Sequence, residues 1–452
     1  MVTSDTIAAP ATPPGRGGVG MIRISGSLVP SIAQTILKKN LKARRASFCN
    51  FFSVNGKVID QGLALYFCAP HSFTGEDVLE LHCHGGVVIM DLLLQRVLEL
   101  GARMARPGEF MARAFLNHKI DLIQAEAVAD LIDAASSQAA QNAVRSLQGE
   151  FSKQVNKLLT MLIKLRTHLE ATIDFPEDEE TEKLSSANFG NNINDILCQL
   201  KQLKDTAKQG AILRDGISVV IAGKPNAGKS SLFNCLSGQE AAIVTDIPGT
   251  TRDVLHTRIQ IDGLPIDLLD TAGLHDQPDI IEGEGIRRAW EEIKKADHVL
   301  LVVDAFASRD CDPDKLWSDF FGVMPKHAHF TVLYNKIDLL NEEAKIIKIN
   351  DVECIYLSVK NQKGLDLLKQ HLKNSAGFHA VENGFSARRR HLDALDRAEK
   401  HLYNAQQILL TGTLELVAED LVQAQHSLGE ITGEFAAEDL LAKIFSEFCL
   451  GK

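Results

Sequence analysis

No apolar run in this 452-residue chain approaches the roughly 18–20 residues that a membrane-spanning helix requires. No Cys-x-x-Cys pair occurs: the 8 cysteines stand singly, at 49, 68, 83, 198, 235, 311, 354 and 449, which fits reduced thiols better than a disulfide framework. The start, Met1-Val2-Thr3-Ser4-Asp5, has neither a basic segment leading into an apolar core nor an Arg-rich transit pattern, so the cytoplasm is the expected location. Positive charge is in deficit, with a formal net charge of -11. That argues against a wholly basic nucleic-acid binder and leaves room only for a local basic patch. There is no internal repeat, low-complexity tract, second phosphate-binding loop or Gly-x-x-Gly RNA-binding module. What is present is a globular composition, 45% hydrophobic and 24% charged, in a chain long enough for two to four domains.

The most specific segment is Gly223-Lys224-Pro225-Asn226-Ala227-Gly228-Lys229-Ser230, a G-x-x-x-x-G-K-S sequence. It follows the β-branched run Ile217–Ala222 and precedes a helical pattern beginning at Ser231. This order lets glycines turn backbone amides toward phosphate oxygens while a helix N-terminus adds its positive end. Lys229 then reaches the β- and γ-phosphates, and Ser230 holds Mg²⁺. Asn335-Lys336-Ile337-Asp338 follows the strand Phe330–Tyr334, and its Asp carboxylate can accept from the N1 and N2 donors of guanine, a pair that adenine lacks. Ser358-Val359-Lys360, after the strand Cys354–Leu357, suits the loop that closes over the base. Asp270-Thr271-Ala272-Gly273 follows the strand Leu264–Leu269, where the Mg²⁺-linked carboxylate and the γ-phosphate-sensing amide belong. Four such elements in order predict a GTP site.

Two details bear on hydrolysis. Leu274 stands where Ras-like proteins carry a water-positioning Gln, and a Leu cannot orient water. The loop Thr245-Asp246-Ile247-Pro248-Gly249-Thr250-Thr251-Arg252-Asp253 is dense in hydroxyl and carbonyl oxygens, with Thr251 as the Mg²⁺ ligand. Together with the Asn226 amide, it can form an oxygen cup for a hard monovalent cation, which would supply the charge an arginine finger supplies elsewhere. Asn226 either joins that cup or braces its own loop.

Around this segment the pattern changes. Residues 1–118 read as α/β, with strands at Val19–Ile24, Gly62–Phe67 and Asp77–His82 and a helix after His84-Gly85-Gly86. Residues 119–212 read as helical, with the stripe Leu158, Leu159, Leu162, Leu165 and Leu169. Residues 213–376 alternate strand and helix, as a parallel sheet with helices on both faces does. Residues 377–452 return to helix, with stripes at 392–409 and 440–448 that so short a tail cannot bury alone. The expected architecture is therefore multidomain α/β plus all-α, with a P-loop GTPase domain inserted into a helical domain.

These motifs, with their flanks, closely resemble the MnmE (TrmE) family of tRNA-modification GTPases over essentially the full length. The marks are Asp5–Ala9, Pro13–Gly20, Arg23–Gly26, His84–Gly86, Arg106–Phe110, Asp121–Ala127, Ile173–Pro176 and the terminal Phe448-Cys449-Leu450-Gly451-Lys452. The resemblance implies a dimerising N-terminal α/β domain similar to folate-binding aminomethyltransferases. It also implies K⁺-activated GTP hydrolysis that accompanies dimerisation of the GTPase domains. By motif position, Asn226, Thr245, Ile247 and Thr250 contact K⁺, while Ser230 and Thr251 contact Mg²⁺. The GTP contacts run over Asn226–Ser231, Thr245–Thr251, Asp270–Gly273, Asn335–Asp338 and Ser358–Lys360, thereby including Ala227, Gly228, Ser231, Asp246, Pro248 and Gly249. Glu282 takes the water-positioning role, with Glu284 a neighbouring rival.

A tetrahydrofolate derivative of formyl or methylene type is implied at Arg23, Glu80, Lys119 and Lys452. Arg and Lys suit its carboxylate tail and Glu80 suits the amino-pyrimidine edge, although a solvated strand residue reads the same way. Cys449 is either a nucleophile beside Lys452 or a small buried residue among Phe445 and Phe448. His82 and His84 share a strand face but lack the further ligands of a metal site. The run Arg388-Arg389-Arg390 either meets tRNA phosphates or starts a solvated helix. The implied partners are a second copy, tRNA, and the FAD-dependent MnmG (GidA) in a heterotetramer or larger complex, with no membrane. Together the two proteins would place an aminomethyl-type group on carbon 5 of the wobble uridine. The alternative is an RNA-binding regulatory GTPase of the ribosome-assembly type.

Overall fold

The structure, a computed structural model, describes residues 5–175, 186–240, 255–270, 296–307, 329–349, 351–379, 384–410, 413–435, 438–446, 448 and 451. Its contacts divide the chain into two compact units: Met1–Ala129 with Leu147–Ile196 and Asp396–Lys452, and Asp130–Ser146 with Leu197–Leu395.

The first unit carries a six-stranded sheet of order β3-β4-β5-β2-β1-β6, built from β1 Ile7–Pro10, β2 Gly17–Ser25, β3 Ser47–Phe52, β4 Val58–Phe67, β5 Val78–Gly85 and β6 Arg103–Met104. Helices α1 Val29–Leu37 and α2 Val87–Glu99 supply the rest of its core. The period-two pattern of β2 and β5 explains which side chains go where. Ile22, Ile24, Leu79, Leu81 and Cys83 enter that core, while Arg23, Glu80, His82 and His84 alternate onto the other face. On that face His84 Nδ1 lies 2.8 Å from Asp60, and His82 Nε2 lies 3.6 Å from Glu80.

Helices α3 Glu109–Leu116, α4 Leu122–Ile132, α5 Ser137–Leu147 and α6 Glu150–Asp174 follow. The leucine stripe of α6, from Leu158 to Leu169, is buried, and α6 packs on α11 Leu414–Thr432, which presents Val417, Leu421 and Leu428. The final helix, α12 Glu438–Ser446, lies against α3. There Phe445 and Phe448 join Met111, Leu122 and Ala125 in one cluster, each ring contributing about 1.5–3 kcal/mol of burial.

The second unit holds a seven-stranded sheet of order β12-β13-β11-β10-β7-β9-β8. Its strands are β7 Ile217–Gly223, β8 Leu255–Ile261, β9 Leu264–Asp270, β10 His298–Asp304, β11 His329–Asn335, β12 Lys345–Ile349 and β13 Val352–Tyr356. Strands β9, β7, β10, β11 and β13 are parallel, whereas β8 and β12 are antiparallel edges. Chain order reverses at β7, which sets a ligand crevice at the carboxyl ends of the parallel strands. Helices α7 Ser186–Asp215, α8 Lys229–Glu240, α9 Leu365–Ser375 and α10 Arg389–Leu409 complete the described helices.

The opposite end of this sheet buries a chain of polar groups. His371 Nδ1 is 2.9 Å from Glu353, and its Nε2 is 2.7 Å from Thr331 Oγ1. Thr331 Oγ1 in turn lies 2.9 Å from His298 Nε2, and Ser375 Oγ is 3.1 Å from His298 Nδ1. With both imidazoles neutral, one proton order satisfies the chain: His371 Nδ1–H donates to Glu353, Thr331 donates to His371, His298 Nε2–H donates to Thr331, and Ser375 donates to His298. Burial, and then the neighbouring His371 and His329, pushes the His298 pKa down to about 3; burial also lowers His371 despite the opposing pull of Glu353. A histidine held neutral in the folded state takes up a proton on unfolding, so its contribution is present above the ordinary imidazole pKa and is lost as pH falls. Between pH 7.5 and pH 5, urea unfolding of the nucleotide unit is expected to lose about 2 kcal/mol through His298, and His298→Asn is expected to flatten that dependence. An unchanged pH dependence in the variant would contradict the assignment.

Candidate functional site

The phosphate-loop sequence spans the end of β7 and the start of α8, so the loop sits at the reversal point of the sheet. Gly228 has φ +103°, and a Cβ there would stand 2.2 Å from Asn335 Nδ2, so no side chain fits. Asn226 is also left-handed, at φ 63°. Lys229 is buried, and its Nζ donates to Lys224 O at 3.1 Å, across the mouth of the loop. Ser230 and Ser231, in the first turn of α8, are exposed, as groups awaiting an external partner must be.

The Asn335–Asp338 segment meets this loop directly. Asn335 ends β11 almost fully buried, and its amide serves three protein groups. Nδ2 donates to Ala227 O at 3.0 Å, while Oδ1 accepts from Lys336 N at 2.8 Å and from Val359 N at 3.1 Å. One side chain thus ties the phosphate loop, the Asn-Lys-x-Asp turn and the loop after β13. In this geometry the work of the Asn335 amide is bracing.

Lys336, itself left-handed at φ 69°, donates from Nζ to Asn226 O at 2.8 Å and to Asp304 at 2.7 Å. Burial opposes ionisation of Asp304, but Lys336 and the backbone amide of Phe306 prevail and hold its pKa below the usual carboxylate value. Asp338 accepts from the fully buried Ser358 hydroxyl, which orients the carboxylate. Ile337 fills the space beneath, and Lys360 is exposed. Asp304 was missed in the sequence, although its place at the end of β10 was a usable signal.

Asp270 closes β9, as expected. Thr245–Thr251, Thr271–Gly273, Leu274, Glu282, Glu284, Cys449 and Lys452 lie outside the described residues.

A second cluster forms in the first unit. Arg23 and Glu80 are registered cross-strand partners, with Arg23 Nε 3.0 Å from Glu80 Oε1. The Arg23 guanidinium lies 5.7 Å from the Phe73 ring centre and 5.9 Å from that of Phe110, and its Nη1 donates to Gly451 O at 3.3 Å. Gly451 has φ +88°, and a Cβ there would sit 2.1 Å from Pro10 O. Gly451 is thereby pressed onto β1. Lys119 donates to Pro70 O at 3.0 Å, in the β4–β5 connection that also carries Phe73. Arg23, Glu80 and Gly451 are brought together, and Lys119 is held by the connection that carries Phe73.

Arg388 turns inward. It is mostly buried and pairs with Asp130 at 2.8 Å, so it is withdrawn from phosphate contact, while Arg389 is exposed.

Comparison with known proteins decides the family. The model described as GTP-binding protein TrmE N-terminus matches residues 6–119, and that of the MnmE helical domain matches 122–449. The tRNA modification GTPase MnmE of Histophilus somni (strain 129Pt) is 54% identical over 455 residues, covering 100% of both chains. The proteins of that name from Vibrio cholerae (54%) and Yersinia pestis bv. Antiqua strain Angola (53%) also match over 100% of each chain. This chain belongs to the MnmE family. The fold agrees with the family expectation of an α/β N-terminal sheet, helices and a P-loop GTPase sheet. The helical-domain match, residues 122–449, runs across the strands of the seven-stranded sheet in the sequence.

Asn335→Ala removes three buried hydrogen bonds that link the two halves of the nucleotide site. GTP affinity measured by titration calorimetry is expected to fall by about tenfold or more. Wild-type affinity in the variant would show that the tie does not shape the site.

Proposed function

We propose that this chain is a GTP hydrolase acting in tRNA modification, with a K⁺-assisted nucleotide site and a separate folate-type site. The observation that carries the reading is end-to-end identity with tRNA modification GTPases, together with a phosphate loop joined to a guanine-reading turn through Asn335. The ribosome-assembly alternative rests on the nucleotide-binding region alone, whereas the identity extends over the whole chain.

At the nucleotide site, Lys229 neutralises the β- and γ-phosphates, Ser230 and Thr251 hold Mg²⁺, and Asp338 reads guanine. The open first turn of α8 and the Asp338–Ser358 contact fit these roles. GTP contacts extend over 226–231, 245–251, 270–273, 335–338 and 358–360. Asn226, Thr245, Ile247 and Thr250 would hold a monovalent cation, which would supply positive charge beside the phosphates, and Glu282 orients water where Leu274 cannot. The backbone carbonyl of Asn226 is engaged by Lys336, which fixes the residue while leaving its exposed side-chain amide for the cation.

In the N-terminal domain, 1–118, Arg23, Glu80, Lys119 and Lys452 bind a tetrahydrofolate derivative. Support comes from the half-buried Arg23–Glu80 pair, flanked by two aromatic rings and capped by the C-terminal segment. Bound folate would supply a one-carbon unit; the chain's own part is to orient it. The remaining domains run 119–212, 213–376 and 377–452, the helical parts flanking the GTPase domain. The working assembly is a homodimer joined to the FAD-dependent MnmG in the cytoplasm. It adds the aminomethyl-type group to carbon 5 of wobble uridine.

Two measurements test this reading. GTP turnover is expected to be at least about tenfold faster in K⁺ than in Na⁺ at equal ionic strength, and equal rates would end the cation mechanism. Gly451→Ala, which drives a Cβ into Pro10 O, is expected to abolish binding of 5-formyltetrahydrofolate while GTP affinity is unchanged. Folate binding retained in that variant would remove the C-terminal segment from the site.

A further inference from the structure

A single carboxylate in the second unit receives both ends of the nucleotide-binding segment. Asp130, at the end of α4, is nearly inaccessible. Its Oδ1 accepts from Arg214 Nε at 2.7 Å and from Arg388 Nη2 at 2.8 Å, and its Oδ2 accepts from Ser386 Oγ. Arg214 stands three residues before β7, the strand that leads into the phosphate loop. Ser386 and Arg388 stand just before α10, where the chain has left the sheet. Backbone bonds reinforce the second attachment: Ser386 N donates to Asn142 O at 3.2 Å, and Ser146 Oγ donates to Ser386 O at 3.0 Å, both on α5.

The clasp also reaches β8. Arg214 pairs with Asp215, and Arg258 of β8 donates to Asp215 O at 2.9 Å while pairing with Asp267 at 3.1 Å. In the chain, β8 directly follows the 245–254 segment that carries Thr245, Thr250 and Thr251. A cavity of about 220 Å³ opens beside these groups, with Asp133, Asn142 and Arg258 on its wall. Asn142 is buried, yet its Nδ2 has no hydrogen-bond partner. Asp133 is an exposed second carboxylate on the same wall as Arg214. Close-packed interiors shift between discrete arrangements, and here there is both the room and an alternative acceptor for one.

We infer that Asp130 is a positioning residue that links the nucleotide state to the helices around 137–147 and 384–391 by holding Arg214, Ser386 and Arg388 together. When nucleotide contacts displace β8, Arg258 and Asp215 shift the Arg214 end, and Asp133 becomes its second partner. The carboxylate makes no contact with nucleotide and takes no part in chemistry. The inference rests on the GTP-binding reading, which the phosphate loop reports separately.

Hydrogen exchange on the full chain, with and without a non-hydrolysable GTP analogue and Mg²⁺, tests it. In the wild type, nucleotide is expected to change exchange by about fivefold in 137–147 and 384–391, the low end of ordinary coupling, and also to protect 224–232. In Asp130→Asn, protection of 224–232 is expected to persist and basal kcat to stay within about twofold, while the change in the two remote segments disappears. A merely structural role would raise remote exchange equally with and without nucleotide, leaving the difference intact. Arg388→Lys keeps the charge, guards against misfolding of the first variant and is expected to shift the difference in the same direction. A wild type without remote change, or variants that retain it, would overturn the inference; absent protection at 224–232 in the wild type would instead reject the GTP-binding reading and the inference with it.

Discussion

A phosphate-holding loop and a base-reading turn can recognise one nucleotide only if their spacing is fixed before it arrives. In this chain the buried amide of Asn335 sets that spacing. It takes a carbonyl from the phosphate loop on one side and offers its oxygen to two amides of the base loops on the other. The bonds to Ala227 O and Val359 N are buried, so leaving either unmade would cost about 1–3 kcal/mol. Gly228 is the counterpart of the tie, because any side chain there would occupy the space of the Asn335 amide. Lys336 adds a longer strap from the same turn, from Asn226 O to Asp304. The exposed Ser230, the oriented Asp338 and the buried Lys229 depend on this frame.

The N-terminal sheet follows a related logic with different chemistry. Alternation sends Arg23 and Glu80 to the face away from α1 and α2, and register makes them direct neighbours. Two aromatic rings and the Gly451 carbonyl then narrow the surroundings of the guanidinium. An ion pair partly withdrawn from water is geometrically definite without contributing much stability, which suits a binding feature better than a structural one. Gly451 reaches it while Phe445 of α12 and Phe448 beyond it pack against Met111 of α3 and its neighbours.

Much of this was legible in the sequence because the chemistry is contiguous there. The phosphate loop, Asn335–Asp338 and Ser358–Lys360 each occupy a few consecutive residues at a strand end, and the leucine stripe of α6 has helical spacing. Edge strands were harder. β12 reads Lys-Ile-Ile-Lys-Ile and pairs on one side only, so its lysines mask the pattern, and the short strands β1 and β6 carry too few residues to declare themselves. Arg388 illustrates a deeper limit. Three consecutive arginines suggest a surface for phosphates, but the partner that turns Arg388 inward lies 258 residues earlier, at Asp130. The polar chain from Glu353 to Ser375 is likewise invisible in one dimension, because neighbouring strands and a helix bring its members together.

The central claim is that one chain combines a GTP engine with a site for one-carbon chemistry in the service of tRNA. Mass spectrometry of tRNA nucleosides from a strain lacking this protein tests it most directly. The account predicts loss of the aminomethyl-type modification at carbon 5 of wobble uridine, restored by the wild-type protein but not by Asn335→Ala. Wobble uridines that stay fully modified without the protein would contradict it.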